Sequence, residues 1–154
     1  MKNTKQQLIL ETLDKKLLSF QSLKDIAVPP KGWVHTLRTA LKMSLRQLSS
    51  KMGITPQSLK DMESREVTGT ITLKTLRDIA SAMDMQLVYG FVSKHYTLEE
   101  MIHNKAKLLA TEIVLRTNNT MVLEEQQNSE QRIKKAINQK TEEIMNELPK
   151  YLWD

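Results

Sequence analysis

The stretch Ser44-Leu-Arg-Gln-Leu-Ser-Ser-Lys-Met-Gly-Ile-Thr-Pro-Gln-Ser-Leu59 carries the architecture of the middle of this chain. Ser44 followed three residues later by Gln47 is a capping box, in which each side chain satisfies an orphan amide of the other, and it predicts a helix opening at Ser44. Gly53 ends that helix, because the tight turn needs a backbone angle that a side chain opposes. Thr55 then caps a second helix with Pro56 at its first position, where a missing amide proton costs nothing. Two short helices joined in this way have the layout of a helix-turn-helix. Leu45, Leu48 and Met52 are expected to face inward from the first helix and Leu59 and Met62 from the second, with Ile54 plugging the corner.

That arrangement leaves a polar face on the second helix. Thr55 at its entrance and Gln57, Ser58, Lys60 and Asp61 along it are the candidates to meet base edges in a DNA major groove. Gln makes paired hydrogen bonds to adenine, Lys donates to guanine and Asp accepts from the cytosine amine. Lys42, Arg46, Gln47 and Arg65 flank this face and are the candidates to hold phosphates.

Further out, a helix is predicted from about Trp33 to Leu41 and another from Thr72 to about Met83, with Glu66 to Thr70 as a loop. Gln86 to Val92 is β-branched and aromatic without helical period, which predicts one short strand or extended segment. Before this block, Leu10, Leu13, Leu17 and Phe20 recur at helical spacing ahead of Pro29-Pro30, an amphipathic arm and a stiff joint. After it, Thr97-Leu-Glu-Glu100 forms another capping box, and Met101, Ile102, Ala106, Leu109 and Ile113 share one face of the helix it opens. A last helix is predicted from about Ser129, with Ile133, Ile137, Ile144 and Leu148 on one stripe and Pro149 as the stop; the bland reading of Tyr151 and Trp153 is a clasp that holds it down. The chain thus divides into an N-terminal helical arm (1–30), a helix-turn-helix domain (31–92) and a C-terminal helical region (93–154), and the fold is mainly α.

Composition narrows the function. The chain has 154 residues, no cysteine, and 23 basic against 18 acidic residues, a net charge of +5. Residues 31–92 hold 9 basic and 5 acidic residues, so the excess sits on the helix-turn-helix and points to a polyanionic partner. Without cysteine there is neither a disulfide framework nor a thiolate metal site. No run approaches the length of a membrane span, and a cytoplasmic, bacterial location is expected. His35, His95 and His103 stand far apart, and neither a Gly-rich phosphate loop nor a nucleophile elbow is present, so no enzyme, cofactor or metal is expected.

Leu37-Arg38, Met43-Ser-Leu-Arg-Gln-Leu48, Met52-Gly-Ile-Thr55, Leu59, Met62-Glu63 and Thr72-Leu-Lys-Thr-Leu-Arg-Asp-Ile-Ala80 together resemble the lambda-repressor-like (Xre-type) DNA-binding family. The resemblance implies a five-helix domain whose third helix enters the groove, with Gln47 as a phosphate-holding glutamine. This chain departs from many relatives at Pro56, where they have Gln, and at Asp61, where they have Arg or Lys.

Thr120-Met-Val-Leu-Glu124 reads from spacing alone as a turn of helix with a solvated glutamate and a core leucine. It also resembles the inhibitory-helix signature of Fic-domain proteins and their small antitoxins, matching it at Thr120, Leu123 and Glu124, while Glu125 stands where Gly or Asn is usual. The resemblance implies a glutamate that pairs with an arginine of the Fic active site and displaces the ATP γ-phosphate. Over nearly its whole length the chain is similar to the family named mobile mystery protein A, through Leu13-Asp14, Pro29-Pro-Lys-Gly-Trp33, the helix-turn-helix, Gly69-Thr-Ile-Thr-Leu73, Leu87-Val-Tyr89, Thr120-Met-Val-Leu-Glu124 and Tyr151-Leu-Trp-Asp154. Members of that family are encoded beside a Fic-domain partner, mobile mystery protein B.

The resulting expectation is an antitoxin that binds operator DNA as a homodimer and blocks adenylylation by a Fic-domain toxin. Two other readings stay open. One is a transcriptional repressor whose C-terminal helices dimerise through the stripe Ile133, Ile137, Ile144 and Leu148. The other is an antitoxin of a kinase-type toxin, in which Glu124 is incidental.

Overall fold

The computed structural model describes residues 4–118 and 126–154. The chain forms two compact units, one from Asp25 to Gly90 and one from Met1–Lys24 together with Phe91–Asp154. The fold is mainly helical, and no strand occurs among the described residues.

The Asp25–Gly90 unit is built of helices α2 (Gly32–Ala40), α3 (Leu45–Met52), α4 (Pro56–Thr68) and α5 (Leu73–Ala82). Its local signals act as the sequence predicts. Ser44 and Gln47 form both bonds of the capping box. Gly53 takes the left-handed conformation (φ 68°) and, with Ile54, returns hydrogen bonds to Ser50 and Ser49 in a Schellman closure. Thr55 accepts from the Ser58 amide and Thr72 from the Thr75 amide. Leu48, Leu59 and Ile79 are fully buried beside Val34 and Met83, and Leu45, Met52, Ile54 and Met62 pack around them.

One expectation for this unit is corrected: Glu66 to Thr70 reads as a loop, but α4 continues to Thr68 and ends only at Gly69, which is left-handed at φ 78°. The unit holds four α-helices, and residues 86–92, read as a strand or an extended segment, adopt no regular structure, with no strand among the described residues to pair with them.

One cluster fixes α2 to α4. The Arg38 guanidinium donates to the Glu63 carboxylate from Nε (2.6 Å) and from Nη2 (3.3 Å), and from Nη1 to the Met43 carbonyl (2.9 Å). Both side chains are over nine-tenths buried, at 9% and 8% exposure. His35 Nδ1 lies 3.2 Å from the same carboxylate. One turn further along α4, Glu66 accepts from the amides of Trp33 (2.7 Å) and Val34 (2.9 Å), at a helix start where Lys31 supplies no side-chain cap. Glycine suits position 32 because its φ of +82° is strained for residues with a side chain, and a Cβ there would lie 2.8 Å from Glu66 Oε2 and displace that carboxylate from its amides.

The second unit contains α1 (Thr4–Leu18), α6 (Leu98–Asn118) and α7 (Gln126–Glu147), with 3-10 turns at Gln21–Leu23 and Lys150–Trp153. Ile102, Ala106, Ala110, Ile144 and Leu152 form its core, and Leu10, Leu109, Ile113, Ile137, Met145 and Leu148 pack against it. Of the α7 stripe read as a dimer seam, Ile137, Ile144 and Leu148 are taken up inside the protomer against the apolar face of α6, and Ile133 lies outside this core. The terminal clasp is Leu152, at 4% exposure, while its aromatic neighbours Tyr151 and Trp153 are exposed. In α1, Leu10 turns inward and Leu13 outward. Asp14 caps α6 from a distance, its carboxylate accepting from the amides of Leu98 (2.7 Å) and Glu99 (3.3 Å) while Thr97 accepts from the Glu100 amide.

Glu63→Ala leaves the Arg38 charge buried and unpaired, and is expected to destabilise the helix-turn-helix unit by about 3–5 kcal/mol. Arg38→Met with Glu63→Leu, which removes both charges, should recover most of that loss. Urea unfolding followed by circular dichroism measures both, and a double variant no more stable than Glu63→Ala would show that the pair is not the source of the cost.

Candidate nucleic-acid interface

Helix α4 carries two opposed faces. Leu59, Met62, Glu63 and Glu66 turn toward the unit, and Gln57, Lys60, Asp61 and Ser64 lie on the solvent side. The 3.6-residue period produces this split, since positions 57, 60, 61 and 64 fall within one sector of the helix. Ser64 shares the face but does not stand out in the sequence; its hydroxyl donates to the Lys60 carbonyl at 3.1 Å.

Of the candidate base readers, Gln57, Lys60 and Asp61 are exposed together. Gln57 Nε2 donates to Asp61 Oδ1 at 3.1 Å. This bond orients the carboxamide and leaves Gln57 with one free N–H and its carbonyl oxygen, the donor and acceptor that paired recognition of adenine requires. It also leaves the second Asp61 oxygen to accept from a cytosine amine. Thr55 and Ser58 are engaged differently: Thr55 accepts from the Ser58 amide, and the two hydroxyls lie 2.8 Å apart. They shape the entrance of α4 before they contact anything else.

The candidate phosphate holders surround this face. Gln47 Oε1 is occupied by the capping box, accepting from the Ser44 amide at 2.8 Å, so its Nε2 is the group left to donate outward. Lys42, Arg46, Lys60 and Arg65 are exposed, and none of them forms an ion pair among the described residues. Lys42 is unusual in its backbone. It has φ 54° and occupies the left-handed position of the Schellman closure of α2, in which Met43 N bonds Arg38 O and Lys42 N bonds Thr39 O. Glycine is the ordinary residue at such a site, so a lysine there keeps a cation beside the start of α3 at some cost in backbone strain.

The arrangement is a capped helix with a hydrogen-bonding outer face, rimmed by unpaired cations and held rigidly from behind. Residues 34–89 match a family model described as helix-turn-helix. The chain carries an Xre-like helix-turn-helix domain. No curated protein and no solved structure matches the chain. The residues that position α4, namely Arg38, Glu63 and Glu66, are not separable by spacing from ordinary surface charges. The sequence signal that could have singled them out is the Gly32 that makes room for Glu66.

Thr120, Leu123 and Glu124 lie outside the described residues. Elsewhere in the helical unit, a cleft of about 330 Å³ has Leu10, Ile102, Met145 and Leu148 in its wall and Glu11, Glu99 and Glu142 among its polar residues. Among the described residues no group of three His, Asp or Glu side chains is placed to hold a metal ion, and no helix is long and apolar enough to cross a membrane.

Lys42→Gly relieves the left-handed backbone while removing a phosphate contact. The variant should be as stable as the parent or up to about 1 kcal/mol more stable, yet bind DNA more weakly, as read by thermal unfolding and fluorescence anisotropy. For specificity, Gln57→Ala should cost about 1–3 kcal/mol of discrimination at one base position, whereas Arg46→Ala should weaken all sequences alike and lower the salt slope of binding by about one. Equal loss on operator and random DNA for Gln57→Ala would remove it from the base readers.

Proposed function

We propose that this protein is the antitoxin of a Fic-type toxin–antitoxin module, which binds its own operator as a homodimer and restrains the toxin through Glu124. The observation that carries the DNA-binding half is the outer face of α4, on which Gln57, Lys60 and Asp61 stand exposed among the unpaired cations Lys42, Arg46 and Arg65. In this reading Gln57, Lys60 and Asp61 read bases, Thr55 and Ser58 fix the helix entrance against the groove, and Lys42, Arg46, Gln47 and Arg65 hold phosphates.

The toxin-restraining half rests on the sequence pattern Thr120-Met-Val-Leu-Glu124 and on the near full-length similarity to the mobile mystery protein A family. It is supported by the division of the chain, since residues 91–154 and the N-terminal arm build a core of their own. A unit with its own core can hold a partner while the other holds DNA. The chemistry is a competition for one arginine. The Glu124 carboxylate pairs with the guanidinium that otherwise receives the ATP γ-phosphate, and its charge repels the incoming anion. Adenylylation then stops because the nucleotide cannot sit productively.

The test is co-expression with the neighbouring gene product, co-purification and an adenylylation assay. Wild type is expected to inhibit, and Glu124→Ala to bind the partner yet lose at least about tenfold in inhibition. Equal inhibition by the two would overturn the role of Glu124.

A further inference from the structure

Residues 86–92 have the composition of a strand and no strand to pair with. From Gln86 to Val92 no backbone N–H or C=O finds a hydrogen-bond partner among the described residues. Val88, Tyr89 and Phe91 are exposed, Phe91 at 83%. The segment is nevertheless tethered: the Arg77 guanidinium of α5 sits over the Tyr89 ring, 5.6 Å from its centre. From Met85 to Ser93 there is no charged residue and no proline, in a chain that is 27% charged. Natural sheet edges are protected from association by such residues, and this one lacks them.

We infer that this segment pairs with the same segment of a second copy, antiparallel, with Tyr89 opposite Tyr89 on the two-fold axis. The inference rests on the homodimeric reading above and adds the interface that makes the dimer.

The register is argued from self-complementarity. In an isologous pairing, whatever residue i meets on the partner must meet residue i in return. With Tyr89 at the centre, Leu87 of each copy faces Phe91 of the other, an aliphatic–aromatic pair made twice. Val88 faces Gly90, and Gln86 faces Val92. Beyond the uncharged run stand Asp84, in the left-handed turn that closes α5 (φ 57°), and Lys94, so each end of the pairing brings opposite charges of the two copies near one another. A shift by one residue in either strand breaks both Leu87–Phe91 pairs. No segment other than a second copy is needed to account for the uncharged run and its two flanking charges together. The pairing also supplies the missing ladder, satisfying backbone groups that the protomer leaves to solvent.

The absence of native cysteine makes the test direct. Residues directly opposite in an antiparallel pair have Cα atoms about 4.5–5.5 Å apart, within the range a disulfide spans. Tyr89→Cys in the full chain should therefore oxidise to a covalent dimer. Leu87→Cys should not, since two copies of residue 87 lie about 14 Å apart along the ladder, whereas the double variant Leu87→Cys with Phe91→Cys should. With Tyr89 placed as a non-hydrogen-bonded pair, the closer kind, the Val88 N–H points at the partner, so Val88→Pro removes a ladder donor and should raise the dimer dissociation constant by about tenfold or more. Analytical ultracentrifugation reads that shift, and circular dichroism checks that the helices persist.

The outcomes separate the two claims. A wild-type chain that sediments as a 17.8 kDa monomer and occupies its operator as a single copy overturns the dimer and the pairing with it. A dimer that survives Val88→Pro, or that links through Leu87→Cys as readily as through Tyr89→Cys, overturns the pairing and leaves the dimer standing.

Discussion

The buried contact between α2 and α4 is the constraint on which the exposed polar face of α4 depends. Glu63 and Glu66 stand one turn apart on the inner side of α4, and they hold α2 by two different means. Glu63 takes the Arg38 guanidinium in a pair removed from water, and Glu66 replaces the missing cap at the start of α2. A hydrophobic core alone allows neighbouring helices to slide and rotate with little penalty, because apolar contact is non-directional. A two-pronged, charge-assisted contact has defined geometry and fixes the rotation of α4 about its axis. That rotation decides whether Gln57, Lys60 and Asp61 face outward together, so an interaction made on the hidden side sets the accuracy of the exposed one.

The same device recurs in the other unit. Asp14 of α1 caps α6 much as Glu66 caps α2, with both carboxylate oxygens accepting amides that the local sequence satisfies only in part. The N-terminal arm is thereby held through a polar contact as well as through Leu10. Each unit closes around its own core with a carboxylate brought from a distant stretch of chain.

Surface charge is distributed in keeping with that division. On the helix-turn-helix domain the basic residues around α4 are left without acidic partners, while its two central glutamates point inward. Negative charge is thus satisfied inside the domain, by Arg38 and by backbone amides, and positive charge is left on the outer surface. Asp61 is the exception, and its bond to Gln57 orients that neighbour's carboxamide.

The helices of both units, their caps at Ser44, Thr55 and Thr72, the Gly53 turn and the inward residues Leu48, Leu59 and Met62 were legible in the amino-acid order, as was the outward polar face of α4, but the last turn of α4, which holds Glu66, was not. These rest on interactions within one or two turns of chain, where residue type and spacing carry the information. Long-range pairings were not legible. Nothing in the spacing links Arg38 to Glu63 or Asp14 to Leu98, and a local pattern could not foresee that Leu152 rather than its aromatic neighbours closes the core. Residues 86–92 show the limit most clearly: their composition favours a strand, but a strand is a property of a pair, and the described residues hold no second member. Local chemistry chose the helices and their ends, and the contacts between distant stretches chose how those helices face one another, because only folding brings such groups within bonding distance.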